Sequence, residues 1–198
     1  MDGTELIIKQ VESSDIDAFW NLLVEQMNYD KKLHPFLEFK ITKDMIKQDV
    51  GSLSDSSKYF DGFIAIHQCK SSEENMINGS SVIKSTVINQ RVACVMISKY
   101  YSFFDGRVIV FSHLVVTEKF RGQKIGLKMM KKLCQLASNE NCVLEWFCSE
   151  INTSAVKFYE KLGSKIIYTT DMEGSNGGVH RFQLDRNAIK KVIETSIS

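Results

Sequence analysis

The amino-acid sequence predicts a single α/β domain, and two observations lead to that prediction. The predicted order is one strand, two helices and then strands interleaved with helices, without an internal repeat or an interdomain linker. Two later segments, residues 108–116 and 142–148, are almost continuously apolar, as strands buried on both faces of a sheet are. A chain of 198 residues has the size of one domain, so we assign residues 1–198 to it.

The first predicted elements are a strand, a helix and a shorter helix. Residues 5–11 (ELIIKQV) have the composition of a strand, and Asp15 and the two serines before it are candidate N-caps for the helix that follows. Apolar residues recur in that helix at helical spacing: Phe19, Leu22, Leu23 and Met27. A second helix is predicted near residues 42–50.

Two strands come next, over residues 60–67 and 92–100, and a polar segment separates them. Residues 71–89 are rich in Ser, Asn and Glu, a composition that favours loops. We therefore expect a flexible loop there, inside the single domain.

The second half of the chain alternates strand and helix. The first buried strand leads through TEKF into the turn RGQKIG and a helix, whose apolar face is marked by Met130, Leu133, Cys134 and Ala137. The second buried strand precedes a helix over residues 153–162, and Gly163 stands where helices commonly end in glycine. Strands over residues 165–169 and 180–184 flank a glycine-rich turn, and a basic helix follows.

Composition and charge exclude several classes of function. A formal net charge of +1 argues against nucleic-acid binding, which depends on clustered Lys and Arg. The five cysteines form no CxxC pair and the four histidines lack metal-ligand spacing, so we expect reduced thiols and no metal site. The segment MDGTELIIKQ does not resemble a secretory signal, and no apolar run reaches the roughly 18 residues of a membrane span. We therefore expect a cytoplasmic protein that binds neither nucleic acid nor membrane.

The turn RGQKIG carries the most specific pattern. Gly122 and Gly126 bracket a basic turn that follows a buried strand and opens a helix. A helix N-terminus leaves backbone N–H groups unpaired and suits a phosphate, and Arg121 and Lys124 would add positive charge. The alternative is a basic turn that only links a strand to an amphipathic helix. The Walker A and Rossmann patterns are both absent.

The longer stretch VVTEKFRGQKIG resembles the coenzyme A-binding motif of the GNAT superfamily of N-acetyltransferases. Arg121 and Gly126 match that motif, whereas Lys124 stands where the family usually has glycine. The resemblance implies a central, mixed but mostly antiparallel twisted sheet, flanked by helices and splayed between its two central strands. It also implies acetyl-CoA (coenzyme A) as cosubstrate, bound by Leu114, Val115, Val116, Arg121, Gly122, Gln123, Lys124, Ile125, Gly126 and Leu127.

A second stretch, EINTSAVKFYEKLGSKII, is similar to the closing motif of the same family. The resemblance implies that Asn152 and Ala155 contact the cofactor, and that Tyr159 points its phenol at the thioester sulfur. A tyrosine hydroxyl can protonate or hydrogen-bond a leaving thiolate. The alternative is that Phe158 and Tyr159 are packing residues of an amphipathic helix.

Three further stretches, LLVEQMNYDKKL, YYSFFDGRVIVFSHLVV and VLEWFCSEIN, resemble the diamine and thialysine N-acetyltransferase branch, which includes spermidine/spermine acetyltransferases. By that resemblance the acceptor amine is bound by Tyr29, Asp30, Glu145, Trp146 and Phe147. A carboxylate and an aromatic ring suit a cationic amine through ion pairing and cation–π attraction. The alternatives are a solvated helix end for Asp30 and core packing for Trp146.

The branch usually has an acidic pair before the coenzyme motif, where this chain has Ser112 and His113. The loss of two carboxylates favours an acceptor with less positive charge than spermine or spermidine. His113 is a candidate base, because an alkyl amine with a pKa of roughly 10 must lose a proton before it attacks. The alternative is a histidine packed within the sheet. An acetyl-cysteine route through Cys148 is a further alternative, which burial of that thiol would disfavour.

The predicted function is acetyl transfer from acetyl-CoA to a primary amine of a small molecule, by direct attack in a ternary complex. The acceptor is expected to be a diamine, a polyamine or a thialysine/lysine-like amino acid, and the family resemblance implies a homodimer. The alternatives are a peptide, protein or amino-sugar N-acetyltransferase, or a catalytically silent acyl-CoA-binding protein.

Overall fold

The structure, a computed structural model, describes residues 4–51, 58–77, 80–171, 174 and 177–195, with only the backbone for 71–77 and 80–85. Its elements are β1 (Glu5–Gln10), α1 (Ile16–Leu33), α2 (Lys43–Asp49), β2 (Asp61–Ile77), β3 (Ser80–Ser102), β4 (Gly106–Val116), α3 (Ile125–Asn139), β5 (Val143–Ser149), α4 (Thr153–Lys161), β6 (Lys165–Thr170), β7 (Val179–Leu184) and α5 (Arg186–Glu194). The α/β class and nearly all predicted elements are therefore confirmed.

All seven strands form one sheet in the order β1-β2-β3-β4-β5-β7-β6. Every neighbouring pair is antiparallel except β4 and β5, which are parallel. The sheet is thus mixed and mostly antiparallel, as predicted. The one parallel pair needs a crossover between its strands, and α3 supplies it.

Two helical layers cover the sheet. On one face, α3 and α5 pack over the central and C-terminal strands around Leu133, Leu144 and Phe182, which are fully buried. On the other face, α1 and α2 pack over the N-terminal strands around Phe19 and Ile64. These two apolar clusters bury the alternate faces of the same strands, as the period-2 geometry of a strand requires.

The expectation of a loop over residues 71–89 is wrong for the backbone that the structure describes. β2 continues to Ile77 and β3 begins at Ser80, and the two strands stay paired over this length; residues 78–79 lie outside the described residues. Composition reports side-chain preference, whereas a β-ladder is made by main-chain N–H and C=O groups that every residue except proline carries. The flexibility expected of this segment stays a prediction.

The two central strands separate soon after they pair. β4 and β5 are joined only at Val108↔Val143, Ile109↔Leu144 and Val110↔Glu145, and the rest of each strand diverges. This confirms the predicted splay and leaves an opening at the C-terminal ends of both strands.

Among the described residues, none of the helices has both the length and the apolar composition to cross a bilayer.

Candidate active site

A cavity of about 330 Å³ occupies the opening between the diverging ends of β4 and β5. α1 and α4 close it on two sides. Its walls include Gln26, Asp30 and His34, residues 110–114 of β4, residues 147–149 of β5, and Asn152, Ala155 and Tyr159 from the start and the middle of α4. Three segments that the sequence singled out separately therefore meet at one place.

Tyr159 forms part of the cavity wall and is otherwise buried. Its ring packs on Trp146 at 4.9 Å and on Phe182 at 5.6 Å between ring centroids, so its orientation is fixed. Burial raises the pKa of the phenol above its usual value, and the hydroxyl stays protonated at neutral pH. No described residue hydrogen-bonds its Oη, so this donor is available to a ligand in the cavity.

His113 lies in the same wall at a β-bulge. The register with β3 shifts between Cys94 and Met96, which gives β4 an extra residue, and His113 takes a φ of +54°. A bulge turns a side chain away from the regular alternation of the strand, and here it brings the imidazole to the cavity. Burial lowers the pKa of His113, so the ring is neutral at neutral pH and can accept a proton.

Asp30 is the only carboxylate among the described residues that line the cavity, and none of these residues is a lysine or an arginine. Gln26 Nε2 donates a hydrogen bond to its Oδ1 at 2.7 Å, one helical turn away on α1. Burial raises the pKa of Asp30, against the opposing effects of Gln26 and His34. A cation in the cavity would offset that desolvation and pair with the carboxylate.

His34 is a residue of the wall that sequence reasoning missed. It is 3% exposed, and its Nε2 lies 2.8 Å from Ser149 Oγ at the end of β5. The contact ties the end of α1 to β5. The sequence does contain a signal for this position. His34 follows Asp30 at helical spacing, and it stands directly before Pro35, where a helix is expected to end.

Cys148 also lines the cavity, and burial raises the pKa of its thiol to about 12. A thiol of that pKa is almost entirely protonated at neutral pH, whereas the nucleophile is the thiolate. This position therefore favours packing over covalent catalysis.

The turn before α3 has the features of an anion site. Lys124 is the N-cap residue of α3 in the left-handed conformation, with φ +59°, and no side chain caps the helix. The first intrahelical bond at this end is donated by Lys128 N, so the N–H groups of Ile125, Gly126 and Leu127 point outward without a described partner. Gly122 has a φ of +77°, a conformation that glycine adopts without strain.

Arg121 is exposed beside this turn. Its Nε donates to Val116 O at 3.0 Å, and its guanidinium lies 3.7 Å from a carboxylate oxygen of Glu25. The side chain is therefore held near the helix N-terminus by β4 and α1, where it adds positive charge to the unpaired N–H groups.

Asn152 and Tyr29 contact each other across the rim of the opening. Asn152 Oδ1 caps α4 by accepting from Ala155 N at 3.3 Å, and it also accepts from Tyr29 Oη at 3.3 Å. The Arg121 guanidinium lies 5.7 Å from the centre of the Tyr29 ring. Tyr29 is not in the cavity wall but bonds to Asn152, which is; the resemblance implies that Tyr29 contacts the acceptor.

Glu145 and Trp146 are likewise outside the cavity wall. Trp146 is stacked on Phe111 and Phe182, and its Nε1 has no hydrogen-bond partner among the described residues. Trp146 is therefore packed in the core, which is the alternative given for it above. Glu145 is buried on the opposite face of the sheet. The residues of β5 that do line the cavity come later, at 147–149, because only the end of the strand borders the opening.

The remaining predicted residues divide between the cavity and the core. Ser112 and Leu114 line the cavity with His113, whereas Val115 is buried under α1. Among the described residues, no group of three His, Cys, Asp or Glu side chains is close enough together to hold a metal ion.

Comparisons with known proteins agree with this architecture. Residues 55–164 match the model of the acetyltransferase (GNAT) family. Thialysine N-epsilon-acetyltransferase of Sus scrofa is 32% identical over 98 residues, which are 46% of this chain and 51% of that protein. The chain thus spans about half the length of the curated relatives it matches.

Two solved structures share the fold. Spermidine N-acetyltransferase from Vibrio cholerae, in complex with CoA and spermine, has a TM-score of 0.62 at 13% identity and covers 93% of this chain and 98% of its own. The NatC complex bound to Gag peptide and CoA has a TM-score of 0.59 at 13% identity, with 91% and 98% covered. At such identities the likeness establishes the fold.

Proposed function

This chain belongs to the GNAT acetyltransferase family, and from that premise we propose that it transfers the acetyl group of acetyl-CoA to a primary amine of a small molecule. One observation carries the proposal. A neutral imidazole, His113, and a protonated phenol, Tyr159, line one cavity between the separated ends of β4 and β5. Attack of an amine on a thioester requires a base at one reactant and a proton donor at the other.

The residues present fit the cofactor. The unpaired N–H groups at the start of α3, with Arg121 beside them, suit the pyrophosphate of coenzyme A. The turn follows β4, whose residues 110–114 line the cavity, and Asn152 stands in the cavity wall. Acetyl-CoA supplies the thioester, and these residues of the chain would hold it in place.

The reaction is a direct transfer in a ternary complex. His113 takes a proton from the acceptor ammonium, directly or through water. The amine nitrogen then forms a bond to the acetyl carbon while the carbon–sulfur bond breaks, and Tyr159 donates a hydrogen bond or its proton to the leaving sulfur. The new amide nitrogen releases its second proton, which restores the phenol of Tyr159 or passes to the thiolate through water. The protonated Cys148 takes no part. Positioning both reactants in one cavity supplies a large part of the rate enhancement.

The cavity also suggests which amines fit. Asp30 can pair with one cationic group besides the reacting amine, and no other carboxylate lines the described wall. A diamine or a thialysine/lysine-like amino acid satisfies this single site, whereas spermine would bring additional unpaired charges into it. The similarity to thialysine N-epsilon-acetyltransferase supports the same choice.

The first test is acetyl-CoA consumption, read as free thiol, with putrescine, ornithine, lysine, thialysine, spermidine, spermine, glucosamine 6-phosphate and a lysine peptide. We expect turnover of a diamine or of a lysine-like amino acid, and a loss of activity on Tyr159→Phe with acetyl-CoA binding retained. Turnover of the peptide or the amino sugar alone would contradict the small-amine acceptor. Tight acetyl-CoA binding without turnover of any amine would identify a silent binder.

A cytoplasmic homodimer is part of the same proposal. The aromatic side chains Tyr100, Phe147 and Tyr168 are 40 to 55% exposed around Arg181, and a second copy could cover them. Sedimentation equilibrium tests this; a monomer at micromolar concentration would contradict it.

A further inference from the structure

We propose that Glu145 is a positioning residue for acetyl transfer, which with Tyr100 and Arg181 forms a clamp that fixes the point where β4 and β5 separate. The inference rests on the proposed transfer reaction but is independent of which amine accepts the acetyl group. It concerns a buried carboxylate that touches neither the cavity nor the cofactor turn.

Glu145 stands at the apex of the opening. The pair Val110↔Glu145 is the last at which β4 and β5 are joined, and beyond it both strands enter the cavity wall. Whatever holds the backbone of β5 at this residue also determines where Phe147 and Cys148 lie. The distance between the two walls of the cavity thus depends on this one register position.

The side chain of Glu145 is bonded from both sides of the apex. Its Oε2 accepts from Tyr100 Oη at 2.7 Å, and Tyr100 belongs to β3, so this bond passes over β4. From β7, Arg181 Nε donates to the same oxygen at 3.0 Å, and Gln183 Nε2 donates to Oε1 at 2.9 Å. The carboxylate therefore links β3, β5 and β7 across the place where β4 and β5 separate.

The negative charge of Glu145 is paired within the clamp. Glu145 is 1% exposed, and Arg181 neutralises it while also donating to the hydroxyls of Tyr100 and Tyr168. Burial, followed by the bond to Glu145, raises the pKa of Tyr100 to about 12, so its hydroxyl remains a donor. A buried charge with this many partners is costly to disturb, and it specifies one arrangement of the strands.

The opposite face of β5 connects the clamp to the chemistry. Trp146, the next residue, is stacked on Phe111 at 4.8 Å, and Tyr159 packs on Trp146 at 4.9 Å. A shift of the β5 backbone at Glu145 would therefore move the phenol of Tyr159 relative to the cavity. An error of about 1 Å in the placement of reacting groups can reduce a rate by about 100-fold.

The test compares two single-atom deletions at adjacent residues. Tyr100→Phe removes the hydroxyl that bonds Glu145, and Tyr101→Phe is its matched control, since Tyr101 is 76% exposed and no described residue hydrogen-bonds its hydroxyl. We expect Tyr100→Phe to lower kcat by about ten-fold and to leave KM for acetyl-CoA within about two-fold, because the cofactor turn is not touched. Tyr101→Phe should match the wild type in both constants.

A double-mutant cycle separates positioning from general stability. Glu145→Gln should lower kcat at least as much as Tyr100→Phe, and the double variant should be no slower than Glu145→Gln alone, since the hydroxyl acts through the carboxylate. If Tyr100→Phe lowers only the melting temperature and keeps wild-type kcat, the clamp is merely structural and the proposal is wrong.

A readout without turnover distinguishes failure of the clamp from failure of the proposed reaction. In the full chain, amide hydrogen exchange of residues 147–149 should be faster in Tyr100→Phe than in Tyr101→Phe. A wild type that turns over no amine would contradict the proposed function. Equal exchange in the two variants would contradict the clamp whether or not an acceptor is found.

Discussion

His113 shows at the residue scale how a strand can turn a side chain into a cavity wall. A regular strand would alternate its side chains, and the bulge instead adds a residue at which His113 adopts φ +54°. Such a conformation is uncommon for any residue other than glycine, although Asn, Asp and His adopt it more readily than most. Backbone strain at a cavity wall is typical of functional positions, and the observed φ supports a role for this side chain.

The role of His113 predicts a particular pH dependence. Because burial lowers its pKa, the neutral form persists to lower pH than that of an exposed histidine, and kcat should fall only as the pH drops through this lowered pKa. His113→Asn keeps a residue that tolerates the left-handed conformation but removes the base. We expect kcat to fall about 100-fold and the acidic limb of the pH profile to disappear.

The control is His180→Asn, because His180 is bonded to Thr169 and does not line the cavity. It should retain the kcat and the pH profile of the wild type. An unchanged acidic limb in His113→Asn would assign the titration to another group, and would leave His113 as a packing residue of the sheet.

At the scale of elements, the start of α3 departs from what its sequence family leads one to expect. Lys124 occupies the left-handed N-cap position, where glycine would carry no steric penalty. The structure accommodates the side chain by exposing it, and the N–H groups of the first turn stay outward. The turn therefore keeps the unpaired N–H groups of an anion site despite the substitution, at a cost in stability.

Lys124→Gly should measure that cost. Removing the side chain relieves the left-handed strain, and we expect the free energy of unfolding to rise by about 1 kcal/mol in denaturant titrations. The matched control is Lys128→Gly, four residues later inside α3, where glycine should lower the free energy of unfolding by about 1 kcal/mol. A Lys124→Gly variant less stable than wild type would mean that the side chain makes a stabilising contact.

At the scale of the whole molecule, ion pairs join elements that are distant in the chain. Asp15, before α1, is buried and pairs with Lys9 of β1 at 2.7 Å and with Arg91 of β3 at 3.0 Å. Burial by itself would raise the pKa of Asp15, but the hydrogen bonds from Lys9 and Arg91 outweigh it and lower the pKa. The carboxylate thus joins the start of the first helix to the edge strand β1 and to the interior strand β3.

The ion pairs of Asp15 predict that the free energy of unfolding decreases in acid. Since the folded pKa of Asp15 lies below the unfolded value, its contribution is present above the unfolded pKa and is lost as the pH falls through the folded one. Asp15→Asn should lower the free energy of unfolding at pH 7 by about 1–3 kcal/mol and flatten its decline as the pH falls below the ordinary pKa of an aspartate. The exposed pair of Lys165 and Asp185 offers the comparison, and Lys165→Ala should cost less than about 1 kcal/mol.

Part of the candidate site could be predicted from the sequence. Residues within a short motif could be recognised, whereas residues whose place depends on distant parts of the chain could not. The start of α3, the cap at Asn152 and the phenol of Tyr159 each belong to a short motif, so local sequence was enough to single them out as candidates. Glu145 and Trp146 were expected in the acceptor pocket because VLEWFCSEIN resembles the diamine and thialysine branch. Which residues of a strand reach a cavity depends on where its neighbour diverges, and one or two residues along β5 change the outcome.

By itself the sequence determined the class of fold, the order of the elements and the family, because periodicity, buried strands and two motifs are written in local runs of residues. Tertiary structure alone decided that Tyr29 meets Asn152, that His34 reaches Ser149, that residues 71–89 pair as strands where the backbone is described, and that Glu145 closes the apex of the opening. The three side-chain contacts share one physical reason: each joins residues far apart in the chain, and only the packed sheet and helices set their distance. The pairing over residues 71–89 is local, but main-chain N–H and C=O groups make it, and composition does not report them.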